Sequence, residues 1–141
     1  MINKNIRNLA AMLIIVTSGL CYAQDNLATA ITHRLDNEGN LHISVTNRMA
    51  NTIHFLCSIE REINGEWREI VLDVSNVKPS KSAKVQRLDP HKTVDFVWPR
   101  KTYVSFLPSS EGIVRVKVVP TDRDGAPAKQ AIYSDSIALK K

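Results

Sequence analysis

Residues 41–47, Leu-His-Ile-Ser-Val-Thr-Asn, decide the fold class of this chain. Apolar and polar residues alternate strictly along this stretch, so Leu41, Ile43 and Val45 would lie on one side of an extended backbone. A period of two is typical of a β-strand with one face buried, because successive side chains of a strand point to opposite faces. The stretch therefore predicts a half-buried strand.

The next apolar row repeats this pattern and ends in a hairpin. Ile53, Phe55, Cys57 and Ile59 occupy alternate positions along residues 53–60. Asn64-Gly65 follows them, and both residues tolerate the positive φ that a type I′ turn requires. The sequence thus predicts a strand, a two-residue turn and a returning strand.

Turn residues separate further short runs of this kind along the rest of the chain. No stretch of ten or more residues has an apolar period of 3.6, so we expect eight to ten antiparallel strands in an all-β domain. The long polar connection at residues 73–82 favours a two-sheet β-sandwich over a barrel, since it suits a strand that changes sheets. The other predicted strands are Ala28–Arg34, Trp67–Leu72, Ala83–Leu88, Val94–Trp98, Tyr103–Leu107, Ile113–Val119 and Ala131–Leu139.

The N-terminal residues have the pattern of a signal peptide. Lys4 and Arg7 give a positive start, and Leu9–Val16 is an apolar run too short to cross a bilayer. Cys21-Tyr22-Ala23 places small residues at the −3 and −1 positions, which predicts cleavage before Gln24. We therefore expect an exported protein, periplasmic or secreted and not membrane-spanning, with residues 1–23 as the signal peptide and 24–141 as the domain.

Lipid attachment at Cys21 is an alternative that the sequence disfavours. A lipidated cysteine normally follows a small residue, whereas Leu20 precedes Cys21. Removing 23 of the 141 residues leaves 118 and lowers the formal net charge from +5 to +3, because Lys4 and Arg7 are lost. Cys57 is then the one remaining cysteine, so the mature chain cannot form an intrachain disulfide.

Several of these runs together resemble the bacterial immunoglobulin-like domains of exported proteins. They are Leu41-His-Ile-Ser-Val-Thr-Asn47, Ile53-His-Phe-Leu56, Asn64-Gly-Glu-Trp67, Leu88-Asp-Pro-His-Lys-Thr-Val-Asp-Phe96 and Ile132-Tyr-Ser-Asp-Ser-Ile137. The resemblance covers roughly residues 30–139. It departs from the family pattern at His91, where a glycine is usual, and at Gly112-Ile-Val-Arg-Val. The resemblance implies an immunoglobulin-like sandwich and a non-catalytic display or adhesion role, and it assigns no ligand or site residue.

The residues capable of metal or nucleophilic chemistry do not form a recognisable constellation. Strand parity turns Cys57 inward and turns His42 and His54 outward, and no metal-ligand spacing links these residues with His33 or His91. A buried thiol is a poor nucleophile. The run Ser109-Ser-Glu-Gly112 lacks the pattern of a nucleophile turn. We predict no enzyme activity, cofactor or metal.

A basic run is the most distinctive charged feature, and we predict it as a face for an anionic partner. In an exported protein that partner would be an envelope polymer, an anionic lipid headgroup or an acidic protein surface. The alternative is an ordinary solvated face. Nucleic acid is not expected, because no aromatic residues interleave the charges. The run comprises Lys78, Lys81, Lys84, Arg87, Lys92, Arg100 and Lys101.

Two functions follow as hypotheses. The first is a non-enzymatic interaction or structural module with an immunoglobulin-like fold, binding an envelope or extracellular protein or an anionic polymer. The alternative is a small exported inhibitor that inserts a loop, residues 73–82 or 108–112, into a partner hydrolase. Among the aromatic residues, we expect Trp98 in the core. Trp67 is either a binding anchor or, as we prefer, packed against the other sheet. The oligomeric state is left open.

Overall fold

A computed structural model describes residues 28–76, 82–106 and 111–140 of the chain. The fold is all-β, with two antiparallel sheets on either side of one hydrophobic core. In chain order the elements are β1 (Thr29–Leu35), β2 (Leu41–Asn47), β3 (Ile53–Ile63), β4 (Glu66–Val71), β5 (Gln86–Leu88), β6 (Thr93–Trp98), α1 (Arg100–Tyr103), a 3-10 turn (Val104–Phe106), β7 (Glu111–Thr121), β8 (Ile132–Tyr133) and β9 (Ile137–Lys140).

The two sheets differ in their number of strands. The smaller sheet has the order β1-β2-β6, and the larger one is built around the long strands β3 and β7. On one side of β3 lie β4 and β5, and on the far side of β7 lie β8 and β9. The chain crosses between sheets after β2, before β6 and after β6, which confirms the predicted all-β, two-sheet architecture. The expectation that the connection at residues 73–82 leads to a change of sheet is wrong, because β4 before it and β5 after it both pair with β3.

The core consists of the apolar residues that alternation placed inward. Leu41, Ile43 and Val45 on β2 are fully buried, and they face Phe55 and Ile59 of β3 across the core. Cys57 and Trp98 are also in the core, as predicted. At the Asn64-Gly65 turn the φ angles are 53° and 81°, which confirms the predicted left-handed turn.

The predicted strand Tyr103–Leu107 is wrong in the part of it that the structure describes. Residues 100–106 form α1 and the 3-10 turn, because the N–H groups of Thr102 and Tyr103 both donate to the Pro99 carbonyl oxygen. Tyr103 is buried for a different reason than a strand residue would be, since its ring packs on Trp98 with centroids 5.1 Å apart.

Two other predicted strands are shorter than expected. Within Ala83–Leu88 only β5 pairs with a neighbour, since the Lys84 N–H donates to the Asp73 carboxylate instead of to a strand. Ala131–Leu139 is divided into β8 and β9 at Ser134, whose hydroxyl accepts a hydrogen bond from the Val116 N–H.

Candidate interaction surface

The solvent-facing side of the larger sheet holds the most distinctive group of side chains. On β7, Val114, Val116 and Val118 are fully buried, so the intervening Arg115 and Lys117 point away from the core. Strand register places residues of β3, β4 and β8 beside them on the same side. We call this set the outer-face patch: Glu60, Glu62, Trp67, Glu69, Ile113, Arg115, Lys117 and Tyr133.

Arg115 lies between two aromatic rings at the centre of the patch. Its guanidinium carbon is 4.3 Å from the ring centroid of Trp67 and 3.8 Å from that of Tyr133. Both distances lie well within the roughly 6 Å range of a cation–π contact. The rings come from β4 and β8, on opposite sides of β7, so the arginine joins strands that do not pair with each other.

Glu60 completes this cluster. Its Oε1 accepts hydrogen bonds from Arg115 Nε at 3.1 Å and pairs with Nη2 at 3.0 Å. The Glu60 side chain is only 9% exposed, and a carboxylate this buried requires a cationic partner. Arg115 therefore has an aromatic ring on either side and a carboxylate at its edge, and these contacts hold its side chain in one position at the centre of the patch.

The rim of the patch is exposed and charged. Tyr133 is 44% and Ile113 43% exposed, and neither Glu62 nor Lys117 has an ion-pair partner among the residues that the structure describes. Tryptophan, tyrosine and arginine are the residues most enriched at energetically dominant positions of protein interfaces. A preorganised centre with free charges around it is suited to contact another macromolecule.

Our preferred interpretation of Trp67 from the sequence is wrong. The residue lies opposite Glu62 on the outer side of the sheet and contacts Arg115, so it does not pack against the smaller sheet. The reason is register: the two-residue turn at Asn64-Gly65 pairs Ile63 with Glu66 and so turns Trp67 to the same side as Glu62.

The first four residues of the predicted basic face differ in what the structure says of them. Lys78 and Lys81 lie outside the described residues. Lys84 is exposed just before β5, and Arg87 on β5 is 3.4 Å from the exposed carboxylate of Asp89. An exposed pair of this kind contributes little to stability or to the net field.

The remaining cations lie at opposite ends of β6. Lys92 immediately precedes this strand, whereas Arg100 and Lys101 follow it in α1. Six strand residues span roughly 20 Å. Lys92 therefore lies at the end of β6 that follows β5, whereas Arg100 and Lys101 lie at the other end of β6, so these described members of the basic run are not adjacent.

A second polar cluster lies at the β1–β2 turn. The Asp36 carboxylate accepts hydrogen bonds from the main-chain N–H groups of Glu38 and Asn40, each at 2.9 Å, and contacts His42 Nε2 at 2.8 Å. The His42 contact, reinforced by these N–H groups, holds the pKa of Asp36 well below its usual range. His42 is thus on the predicted side of β2, but it is half-buried and paired.

This turn is joined to α1 by two further bonds. The Arg100 N–H donates to Asn40 Oδ1 at 3.0 Å, and the Tyr103 hydroxyl donates to the Gly39 carbonyl oxygen. Burial raises the pKa of Tyr103, so its hydroxyl keeps the proton that it donates. These bonds make the cluster a structural corner of the fold.

Cys57 is buried, as predicted, and chemically protected. Burial, together with the nearby Asp73 carboxylate, raises the pKa of its thiol to about 12. His54 on the same strand lies at a cleft of about 300 Å³ between the two sheets, on the opposite parity from Cys57. Within residues 28–76, 82–106 and 111–140, no group of three or more His, Cys, Asp or Glu side chains is placed to hold a metal ion.

Comparison of the chain with protein-family models and with curated proteins finds no match. In the described part of the chain, no helix has the length and apolar character needed to cross a membrane. Both loops predicted for an inhibitor lie partly outside the described residues, at 77–81 and 107–110. The predicted signal peptide at residues 1–23 and the alternative of lipid attachment at Cys21 also fall on residues outside the described ranges.

Proposed function

We propose that this protein is a non-enzymatic, exported interaction module with an immunoglobulin-like fold, and that the outer-face patch is its contact surface. The observation that carries this proposal is the stack of Trp67, Arg115 and Tyr133 on the solvent-facing side of a sheet. A sheet needs no such cluster on its solvated face for its own core, since the apolar residues that stabilise it lie on the other side.

The topology supports the immunoglobulin-like assignment. Strands β1, β2 and β6 form one sheet, and β3, β4, β5, β7, β8 and β9 form the other. The chain changes sheets after β2, before β6 and after β6, and connections between the two sheets of this kind are typical of a Greek-key sandwich. The run at Leu9–Val16 and the small residues before Gln24 support export.

The energetics of the patch favour binding to a protein. Trp67 and Tyr133 are already held in place by Arg115, so little side-chain entropy remains to be lost on association. The desolvation cost of the central charges is also reduced, because Glu60 and Arg115 are paired before any partner arrives. Glu62 and Lys117 at the rim would select a partner with complementary charges.

The test is affinity capture from envelope and secreted fractions with the tagged domain, comparing two variants. Tyr133→Ala removes an exposed ring of the patch, and Val97→Ala removes an equally exposed apolar side chain from the smaller sheet. We expect a partner at near-equal stoichiometry that survives high salt, at least a tenfold loss with Tyr133→Ala, and no change with Val97→Ala.

Two results would contradict this assignment. Full retention by Tyr133→Ala would show that the patch is not the contact surface. Loss of all captured material at high salt, or its loss with Lys84→Glu but not with Tyr133→Ala, would instead favour an anionic polymer bound by the basic residues.

A further inference from the structure

The outer-face patch has an acidic side chain, Glu62, at one end and a basic side chain, Lys117, at the other. Glu60 and Arg115 are direct partners on β3 and β7 and mark the centre. Two positions from this centre in one direction is Glu62, directly across from Trp67 on β4. Two positions in the other direction is Lys117, directly across from Tyr133 on β8.

Each end therefore pairs one aromatic ring with one charge. The end on β3 and β4 offers Trp67 with an acidic side chain, and the end on β7 and β8 offers Tyr133 with a basic one. A twofold rotation about an axis parallel to the sheet, lying between two facing copies, would place Glu62 of each copy opposite Lys117 of the other. It would also place each aromatic ring near the other.

From this arrangement we infer that the outer-face patch binds the same patch of a second copy of this chain. The inference rests on the proposed function, since it names the partner of the proposed contact surface. In a contact between identical surfaces every pair occurs twice. Glu62 of each copy would meet Lys117 of the other, and the Glu60–Arg115 pairs would lie near the twofold axis.

The size of the sheet limits such a contact to a small one. β3 and β7 have 11 residues each, β4 has six and β8 has two, so at about 3.3 Å per residue and about 4.8 Å between strands these four strands give a plan area of roughly 480 Å². Specific protein interfaces bury about 800 Å² on each partner. A surface of this size, with charged and aromatic rather than aliphatic side chains, fits a reversible dimer and not an obligate one.

Charge complementarity favours a second copy over an unrelated partner. Neither Glu62 nor Lys117 has an ion-pair partner among the described residues, and the two lie at matched distances from the centre of the patch. The patch also holds the exposed Glu69, directly across from Glu60, so it has three acidic and two basic side chains. A surface of a single sign would repel its own copy, whereas this patch carries both signs, so that Glu62 and Lys117 can pair with their counterparts in a second copy.

The experiment measures the mass in solution of the full chain, expressed with residues 1–23 so that processing occurs as in the cell, and purified through a C-terminal tag. Sedimentation equilibrium compares the wild type with Glu62→Lys and Lys117→Glu, each of which would replace two attractive contacts by two repulsive ones. We expect a wild-type dimer and a roughly 10- to 100-fold weaker dimer for each variant.

Mixing the two variants gives the decisive result. In a mixed dimer the added lysine of one copy meets the added glutamate of the other, and the unchanged Lys117 meets the unchanged Glu62. The equimolar mixture should therefore recover the wild-type affinity, as should the double variant Glu62→Lys/Lys117→Glu. Lys129→Glu, an exposed site outside the patch, is the matched control and should leave dimerisation unchanged. Circular dichroism melting checks that every variant is folded.

Three outcomes overturn the inference. A wild type that is monomeric at about 1 mM shows that the patch does not bind itself, and capture of another protein that depends on Tyr133 would then leave the proposed function intact. A dimer that is insensitive to both charge reversals uses another surface. Failure of the mixture to recover affinity excludes the twofold pairing of Glu62 with Lys117.

Discussion

The Tyr103 hydroxyl donates a hydrogen bond to the Gly39 carbonyl oxygen, and this contact ties α1 to the turn between β1 and β2. Because Tyr103 is only 2% exposed, its replacement by phenylalanine would leave the carbonyl without this donor in a confined site. We expect Tyr103→Phe to lower the free energy of unfolding by about 1 kcal/mol, measured by urea titration.

The matched control removes a hydroxyl from an exposed ring. Tyr133→Phe retains the ring that contacts Arg115 and should change the free energy of unfolding by less than about 0.5 kcal/mol. Equal losses in both variants would contradict a specific role for the Tyr103 bond.

The Glu60–Arg115 pair should stabilise the larger sheet more than any exposed pair does. Arg115→Met keeps the length of the side chain but leaves the carboxylate of Glu60 buried without its cation. We expect a loss of about 2–4 kcal/mol, somewhat below that of a fully buried pair since Arg115 is 22% exposed. Urea unfolding followed by tryptophan fluorescence measures it.

A second ion pair in the same sheet provides the control. Arg68 and Glu66 are 3.4 Å apart with side chains 64% and 72% exposed, so Arg68→Met should cost less than about 0.5 kcal/mol. Converting Glu60 to glutamine in the Arg115→Met background should recover part of the loss, because the uncompensated charge is then gone. No recovery would mean that packing of the arginine on the two rings accounts for the effect.

Local alternation predicted the core because the inward or outward direction of a strand residue depends on its immediate neighbours. Leu41, Ile43, Cys57 and Trp98 all lie inside, as this argument requires. Local alternation did not predict the structure of residues 100–106, because it depends only on immediate neighbours. Whether a short segment pairs as a strand or coils into a turn depends on where the chain must cross to the other sheet, and only the tertiary structure determines that crossing.

The outer-face patch could not be predicted from the sequence. Glu60, Trp67, Arg115 and Tyr133 are spread over more than 70 positions of the chain, and they meet only because β3 pairs with both β4 and β7 and β7 pairs with β8. Parity alone would have turned Arg115 outward between buried valines, which is the one signal that was present. The basic run could be identified from the sequence, but the sequence did not predict that β6 separates Lys92 from Arg100 and Lys101.

The Cys57 thiol should be unreactive in the folded protein. With its pKa raised to about 12, almost no thiolate exists at pH 8, and the buried side chain is also closed to reagents. For the chain without residues 1–23, we expect no labelling by Ellman's reagent over an hour in buffer, and complete labelling of its one thiol within minutes in concentrated urea. Rapid labelling without denaturant would show that β3 opens readily or that the strand parity is wrong.

Acid should remove the contribution of Asp36 to stability. Because its pKa is lower in the folded protein than its ordinary value of 3.8, the ionised carboxylate stabilises the fold above that value, and this contribution is lost as the pH falls below it. The urea midpoint of the wild type should therefore exceed that of Asp36→Asn at about pH 5, and the gap should narrow below about pH 4. Asp124→Asn, in an exposed turn, is the control for loss of a surface carboxylate and should change the urea midpoint little. A gap for Asp36→Asn that stayed constant down to pH 3 would mean that the lost contribution is one of shape and hydrogen-bond geometry, and that the charge of Asp36 does not hold the β1–β2 turn.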